Sequence, residues 1–273
     1  MGMVIGIVSK PKTGKTVSAC TFPKPMLLED YDRGFESVKN TRGKDGLLVV
    51  PDWKNITVIE FYKKQQAPLI FKSYASTGDK AKTIGPAPEY TKDAINVIDK
   101  YNSLMKELFD KGTITINGAE IGPFKSLVID PATTMFRVWK DALLLVNNIA
   151  ELRRGDYLAL EGLLANQFIP NLKALSDIIP YIILTDHEDF DATEDGTIIN
   201  EFPVGPSKNM GKNLSEFLDE LWRMEVKGDG TYVWRTKNYG LFKGAGSRLD
   251  LSDPISPATF QVLDKILKER EVI

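Results

Sequence analysis

An α/β fold with a mostly parallel sheet is the class this sequence predicts. Short apolar runs end in polar residues at "MVIGIVS", "MLLED", "LVID" and "YIILTDHED", and helical segments lie between them. An apolar run of strand length that stops at polar residues reads as a buried strand. Strands alternating with helices read as a parallel sheet with helices on its faces.

The first run, Met3 to Val8, leads into "SKPKTGKT", Ser9 to Thr16. Strand, loop and helix is the context a phosphate-binding loop requires. "KTVSACTF" opens the helix, and Pro23 and Pro25 stop it. Ser9, Lys10, Pro11, Lys12, Thr13, Gly14, Lys15, Thr16 and Val17 are the expected nucleotide-binding residues. Gly14 lets the backbone approach phosphate without a Cβ. Lys15 supplies a charge to the β- and γ-phosphates, and Thr16 a hydroxyl to Mg²⁺. Ser9 stands where such loops begin with glycine, and serine is tolerable there if its backbone stays in an allowed region. The other reading of the stretch is a basic surface turn.

A nucleoside triphosphatase needs a second carboxylate near Mg²⁺, commonly at the end of an apolar strand. Asp130 fits: Leu127-Val128-Ile129 run into it and Pro131 breaks the strand. A helix-capping aspartate is the alternative. Met26-Leu27-Leu28 ends in Glu29, Asp30 and Asp32, any of which could orient or deprotonate the attacking water. Asp32 is the first choice, and a solvated acidic turn the alternative. The run beginning at Tyr181 ends in Thr185-Asp186-His187, and His187 is the only histidine of the chain. Its position gives Thr185 and His187 a γ-phosphate-sensing or coupling role, against a purely structural one. No cluster of zinc-ligating residues accompanies it.

Composition excludes some classes. The chain has 273 residues, enough to bury a core without disulfides or a structural metal. A net charge of -2 gives no global basic field for nucleic acid, so any such contact must be local. The single cysteine, Cys20, excludes an internal disulfide and fits a reducing cytoplasm, with packing its expected role. No apolar run is long enough to span a membrane, and no leader is read at the N-terminus.

With these motifs assembled, the chain resembles the phage and prophage P-loop ATPases with a RecA-like core, some of them described as single-strand annealing proteins. The stretches that carry the resemblance are "SKPKTGKT", "FPKPMLLEDYDRG", "FKSLVIDPATTM", "YIILTDHED", "FLDELWRMEV" and "YGLFKGAGSR". It implies a RecA-like P-loop NTPase fold, ATP and Mg²⁺ as cofactors, a homo-oligomer, single-stranded DNA as partner, and a place in the host cytoplasm. Lys15 and Thr16 match phosphate and Mg²⁺ binding, and Asp130 the second Mg²⁺ carboxylate. Asp32 falls near the family's catalytic acid, which is commonly glutamate. Lys243 and Arg248, in "FKGAGSR", match basic residues that reach a neighbouring subunit's nucleotide. They could equally be ordinary surface charges. Lys208 and Lys212 follow the sensor strand, where RecA-like proteins place mobile DNA-contacting loops. A plain helix entry is the other reading.

The whole chain, 1–273, is expected to form one domain, decorated or interrupted by an insertion at about 41–124. Within that region "NITVIEFYK" reads as a strand, and Ile95, Ile98, Leu104, Met105 and Leu108 as the core face of a helix. "TITINGAEI" reads as a hairpin turning at Asn117-Gly118. Lys63, Lys64, Phe71, Lys72, Tyr74, Lys80 and Lys82 interleave cations with aromatic rings, a mix that could track single-stranded DNA or simply be solvated. A second hairpin is expected at Asp195-Gly196, and a third in "MEVKGDGTYVWRTK". A closing helix is expected with Ser256 as N-cap and Pro257 at its first position. Two functions remain open: an ATPase of DNA recombination, annealing or replication, or a nucleotide-dependent assembly protein with little hydrolysis and no DNA role.

Overall fold

The computed structural model describes residues 2–43, 45–61, 88–149 and 151–270. The lysine–aromatic stretch at 62–82 lies outside them. In chain order the elements are β1 (Met3–Ser9), α1 (Lys15–Ala19), β2 (Met26–Asp30), α2 (Phe35–Asn40), β3 (Ile56–Glu60) and α3 (Pro88–Lys111). There follow β4 (Ile114–Ile116), β5 (Ala119–Ile121), β6 (Ser126–Asp130), α4 (Ala132–Val146), α5 (Arg154–Leu163) and α6 (Ile169–Leu175). The rest are β7 (Tyr181–Ala192), β8 (Ile198–Pro203), α7 (Lys208–Lys212), β9 (Glu220–Val226), β10 (Tyr232–Arg235), β11 (Gly246–Ser247) and α8 (Phe260–Glu269).

The described strands of the main sheet run β10-β9-β1-β7-β6-β2-β3, with β8 paired to β7 and β11 to β9. Pairings among β9, β1, β7, β6, β2 and β3 are all parallel, while β10, β11 and β8 are antiparallel additions. The expected mostly parallel α/β architecture is therefore the one observed. β3, from the region read as an insertion, extends the main sheet at its edge.

Alternation along each central strand divides the core in two. Val4, Val8, Leu27, Leu127, Ile129, Ile182 and Leu184 point to one face, where α3, α4, α5 and α6 supply Leu108, Phe136, Leu160 and Leu172. Ile5, Ile7, Met26, Leu28, Val128 and Ile183 point to the other, against Val17 and Cys20 from the α1 segment and Leu263 and Leu267 from α8. Strands apolar on both faces can sit only in the middle of such a sandwich. Cys20 is fully buried there, and burial pushes its thiol well above the ordinary range.

Each expected hairpin forms. Asn117 and Gly118, both at positive φ, turn β4 into β5; Gly196 (φ 85°) lies in the β7–β8 turn and Gly230 (φ 81°) in the β9–β10 turn. The closing helix differs from expectation: α8 begins at Phe260 with Thr259 as N-cap, not at Pro257 behind Ser256. Tertiary hydrogen bonds hold the intervening residues out of the helix. Ala258 N donates to Tyr232 O (2.9 Å), and Ser18 Oγ donates to Ala258 O (2.9 Å).

One buried acid tests the packing. Glu29 is fully buried on β2, within reach of Tyr31, whose ring stacks on Phe61. Tyr31 donates to its Oε2 at 3.4 Å, while Oε1 has no partner among the described residues. Burial pushes its carboxyl up to about 8, against a small opposing effect of the tyrosine hydrogen bond. The folded value exceeds the unfolded one, so the native state binds more protons between them. Glu29 therefore costs stability as pH rises through that interval. Thermal melts across pH 5 to about 9 should show Glu29→Gln flattening the alkaline loss, with the variant the more stable protein above about pH 8.

Candidate functional site

The parallel register sets the carboxyl ends of β1, β6 and β2, and His187 within β7, along one edge of the sheet. Ser9 pairs with His187, and Asp30 with Asp130. Open parallel sheets bind ligands at this edge. A pocket of 620 Å³ lies there, lined by the loop from Pro11 to Val17 together with Asp32, Gly34, Asp130, His187 and Tyr232.

Local chemistry shapes the loop. Lys12 (φ 64°) and Gly14 (φ 84°) are left-handed, and an added Cβ at Gly14 would meet the Tyr232 ring at 3.2 Å. Glycine is favoured there by its left-handed backbone, and a side chain would also press on the Tyr232 ring. Ser9 is fully buried, and its hydroxyl hydrogen-bonds Thr13 Oγ1, which donates in turn to Lys10 O (2.8 Å). Serine in place of glycine thus closes the loop with a side-chain brace. Lys15 Nζ donates to Ser9 O (3.0 Å), Ser9 Oγ (3.1 Å) and Lys10 O (3.0 Å), and lies 3.2 Å from His187 Nδ1. Burial pulls the Lys15 amine down, while Asp130 and Asp186 hold it up. His187 is pulled down to about 4 by burial and by the Lys15 charge. The ring is therefore neutral at pH 7, and its Nδ1 can accept from Lys15.

Asp130 ties three elements together. It accepts from Thr16 on α1 (2.8 Å) and from Thr185 on β7. Burial lifts its carboxyl to about 6, against the two hydroxyl bonds; Asp32 and Asp30 add to the rise. Thr133, in the first turn of α4, hydrogen-bonds Asp186 and accepts from His187 N (3.0 Å), which fixes β7 where its parallel pairing with β1 stops; the strand, expected to end at His187, runs on to Ala192 beside β8. Asp30 accepts from the backbone of Asp32 (3.2 Å), Gly34 (3.0 Å) and Phe35 (3.2 Å), so it shapes the turn that presents Asp32. Asp32 is exposed at the pocket mouth. Partial burial of its carboxyl and the neighbouring Asp30 charge raise its pKa.

A family model described as AAA domain matches residues 1–244. The chain belongs to the AAA domain family. Among solved structures it is similar to the flagellar accessory protein FlaH from Methanocaldococcus jannaschii, at 13% identity and TM-score 0.40, with 93% of this chain and 84% of that chain covered. No curated protein matches. A P-loop ATPase domain of the AAA type accounts for the loop, the carboxylate strand beside it and the parallel sheet.

The AAA domain's residues fit a divalent cation. Thr16 Oγ1 and Asp130 Oδ2 are adjacent oxygen donors, and carboxylate oxygens of Asp30, Asp32 and Asp130 lie within 4.8 Å of one another. Hard cations such as Mg²⁺ take such oxygen sets. Gly34 keeps the space beside them open: a Cβ there would fall 2.2 Å from Asp130 Oδ2 and 2.9 Å from Thr16 Oγ1. No pattern in the sequence marks Gly34, since its backbone is ordinary right-handed helix (φ -60°) and only the tertiary approach requires glycine. Thr133, Asp186 and the Ser9 brace were likewise invisible as partners, because each is defined by a contact between distant strands or across the loop.

The remaining candidates are dispersed. Lys208 and Lys212 both pair with Asp191 (2.9 and 2.6 Å) and lie over the Phe202 ring. Lys243 is exposed beside β8, its backbone N donating to Glu201 O, and Lys10 pairs with the same glutamate at 3.8 Å. Arg248 pairs with Asp219 (3.1 Å), which accepts from Val4 N near the start of β1. Lys243 and Arg248 therefore sit toward opposite ends of the sheet. Among the described residues no helix is long and apolar enough to cross a membrane.

Gly34→Ala should push the Asp130 carboxylate off Thr16. Mg²⁺-dependent turnover is expected to fall roughly 10- to 100-fold, as when the support of a metal ligand is lost, while nucleotide binding without Mg²⁺ changes far less. Steady-state turnover and equilibrium titration of the same preparation check this.

Proposed function

We propose that this AAA domain binds ATP with Mg²⁺ and hydrolyses it, and that hydrolysis drives work on single-stranded DNA in recombination, annealing or replication by an oligomer of the chain. The convergence of Lys15, Thr16, Asp130 and His187 on one pocket carries the catalytic half of this reading. Lys15 would leave its loop carbonyls for the β- and γ-phosphates, exchanging neutral acceptors for charged ones. Thr16 and Asp130 would hold Mg²⁺, which supplies charge neutralisation of the phosphates when bound. Asp32, exposed at the mouth with a raised pKa, would orient a water toward the γ-phosphorus and accept its proton as the bond to the β-phosphate oxygen breaks. Neutral His187 would donate or accept at the γ-phosphate without adding charge.

The DNA half is supported by a connection along β7. The strand carries His187 at the pocket and, further on, Asp191, which pairs Lys208 and Lys212. Loss of the γ-phosphate at His187 would shift the strand and change how tightly Asp191 holds the two lysines. Asp189, on the same strand, also acts on Lys208, so loosening this cluster is what would free the two ammonium groups for a phosphate backbone.

A second reading, nucleotide-dependent assembly with little hydrolysis, is favoured by one observation. Asp30 is committed to backbone amides, which leaves an aspartate on an exposed turn as the sole acid at the mouth among the described residues.

ATP turnover with Mg²⁺, with and without single-stranded oligonucleotide, tests the proposal beside Lys15→Ala. Turnover stimulated by DNA and abolished in Lys15→Ala is the expected result. DNA binding should weaken steeply with salt, and Lys208→Ala with Lys212→Ala should reduce both the salt dependence and the stimulation. Nucleotide binding with no turnover, and indifference to oligonucleotide at low salt, would favour assembly instead.

A further inference from the structure

A second cavity, of 740 Å³, adjoins the phosphate pocket and shares Gly14, Val17 and Tyr232 with it. The two differ in character. The phosphate pocket holds Lys15, Thr16 and Asp130, whereas the second is walled by Leu47, Val49, Met224 and the Tyr232 ring, with Arg42, Asp45 and Gln261 as polar lining. Its volume lies in the range of small-molecule sites, which are mostly apolar with a few polar groups.

The walls are fixed by the fold. Tyr232 opens β10, and its ring lies against Gly14, close enough that a Cβ there would touch it. The segment after Ser256 is pinned between β10 and α1 by the two Ala258 bonds described above. On the opposite side the chain folds back on itself: Gly43 N donates to Leu47 O (2.8 Å) and Val49 N to Thr41 O (3.1 Å). That turn presents Leu47 with 68% of its surface exposed, an apolar side chain beside an apolar cavity.

We infer that this cavity takes the base and ribose of the nucleoside triphosphate, with the Tyr232 ring as the aromatic surface against which the base packs. A ligand that joins an anionic chain to a flat ring with polar edges matches two contiguous cavities, one charged and one mostly apolar with a few polar groups, that meet at the start of α1. Val17 marks the junction, since it follows directly on Lys15-Thr16 and lines both. The inference rests on the nucleotide reading of the phosphate loop, and it assigns the base to residues far from that loop in sequence.

Calorimetric titration of ATP and of inorganic tripolyphosphate, both with Mg²⁺, separates the two ideas because tripolyphosphate has no base. The wild-type protein should bind ATP at least about 10-fold more tightly than tripolyphosphate, the scale of one aromatic stacking contact. Tyr232→Ala should erase most of that advantage and leave the tripolyphosphate affinity in place, which also shows that the variant folds. Tyr232→Phe should behave as wild type. Leu47→Ala, at an exposed position, should lower ATP affinity by a few-fold without touching tripolyphosphate. Equal affinity of the wild type for both ligands, or an unchanged ATP affinity in Tyr232→Ala, would overturn the base assignment and leave the phosphate loop standing. Parallel loss of both ligands in Tyr232→Ala would overturn it too, with the ring then acting as a prop for Gly14. Failure of the wild type to bind either ligand would sink the loop reading and this inference with it.

Discussion

The carboxylate of Asp130 is held between two hydroxyls, Thr16 from the helix after the phosphate loop and Thr185 from the strand next door. That bridge is the constraint on which the rest of the site depends. It ties α1 to β6 and β6 to β7, so the loop, the acid and the neighbouring strand share one hydrogen-bonded link. It also keeps a buried carboxyl hydrogen-bonded in a position that would otherwise be expensive to maintain. The raised pKa of Asp130 expresses what remains of that cost. A divalent cation placed beside it would offset that cost.

Around this bridge the fold places functional groups by register. Because β1, β7, β6 and β2 are parallel, the ends of β1, β6 and β2 and His187 of β7 arrive at the same edge even though they lie far apart in the chain. Helical connections between parallel strands cover both faces of the sheet, so the strand ends are left as the open rim. The two halves of the core, split by the alternation of side chains, hold that rim rigid from both sides. A rigid rim is what electrostatic stabilisation of a phosphoryl group requires.

The loop itself shows how a departure from a common pattern is absorbed. Ser9 replaces a residue valued for backbone freedom, yet its backbone is ordinary β-strand and its hydroxyl braces Thr13 and Lys15. The freedom is supplied instead by Lys12 and Gly14 at positive φ. Lys15 meanwhile rests on loop oxygens and the neutral His187, interactions that a triphosphate would replace with stronger charged ones.

Sequence by itself determined the elements whose signal is local. The apolar runs, the phosphate loop with Lys15 and Thr16, Asp130 before its proline, and the hairpin glycines all follow from periodicity and backbone preference over a few residues. These fix strand ends, and strand ends in a parallel sheet fix most of the site. Tertiary structure alone decided the rest, because those features are distances between segments remote in the chain. Gly34 has an unremarkable backbone and is required only because Asp130 and Thr16 approach it. Glu29 and Asp30 are adjacent carboxylates on one strand, and alternation sends one into the core and the other to the turn that presents Asp32. Pro257 looked like the first residue of a helix, but hydrogen bonds to Tyr232 and Ser18 draw its neighbour into the wall of a cavity and delay the helix to Phe260. Local preference for helix is worth little per residue, and a pair of buried tertiary hydrogen bonds exceeds it.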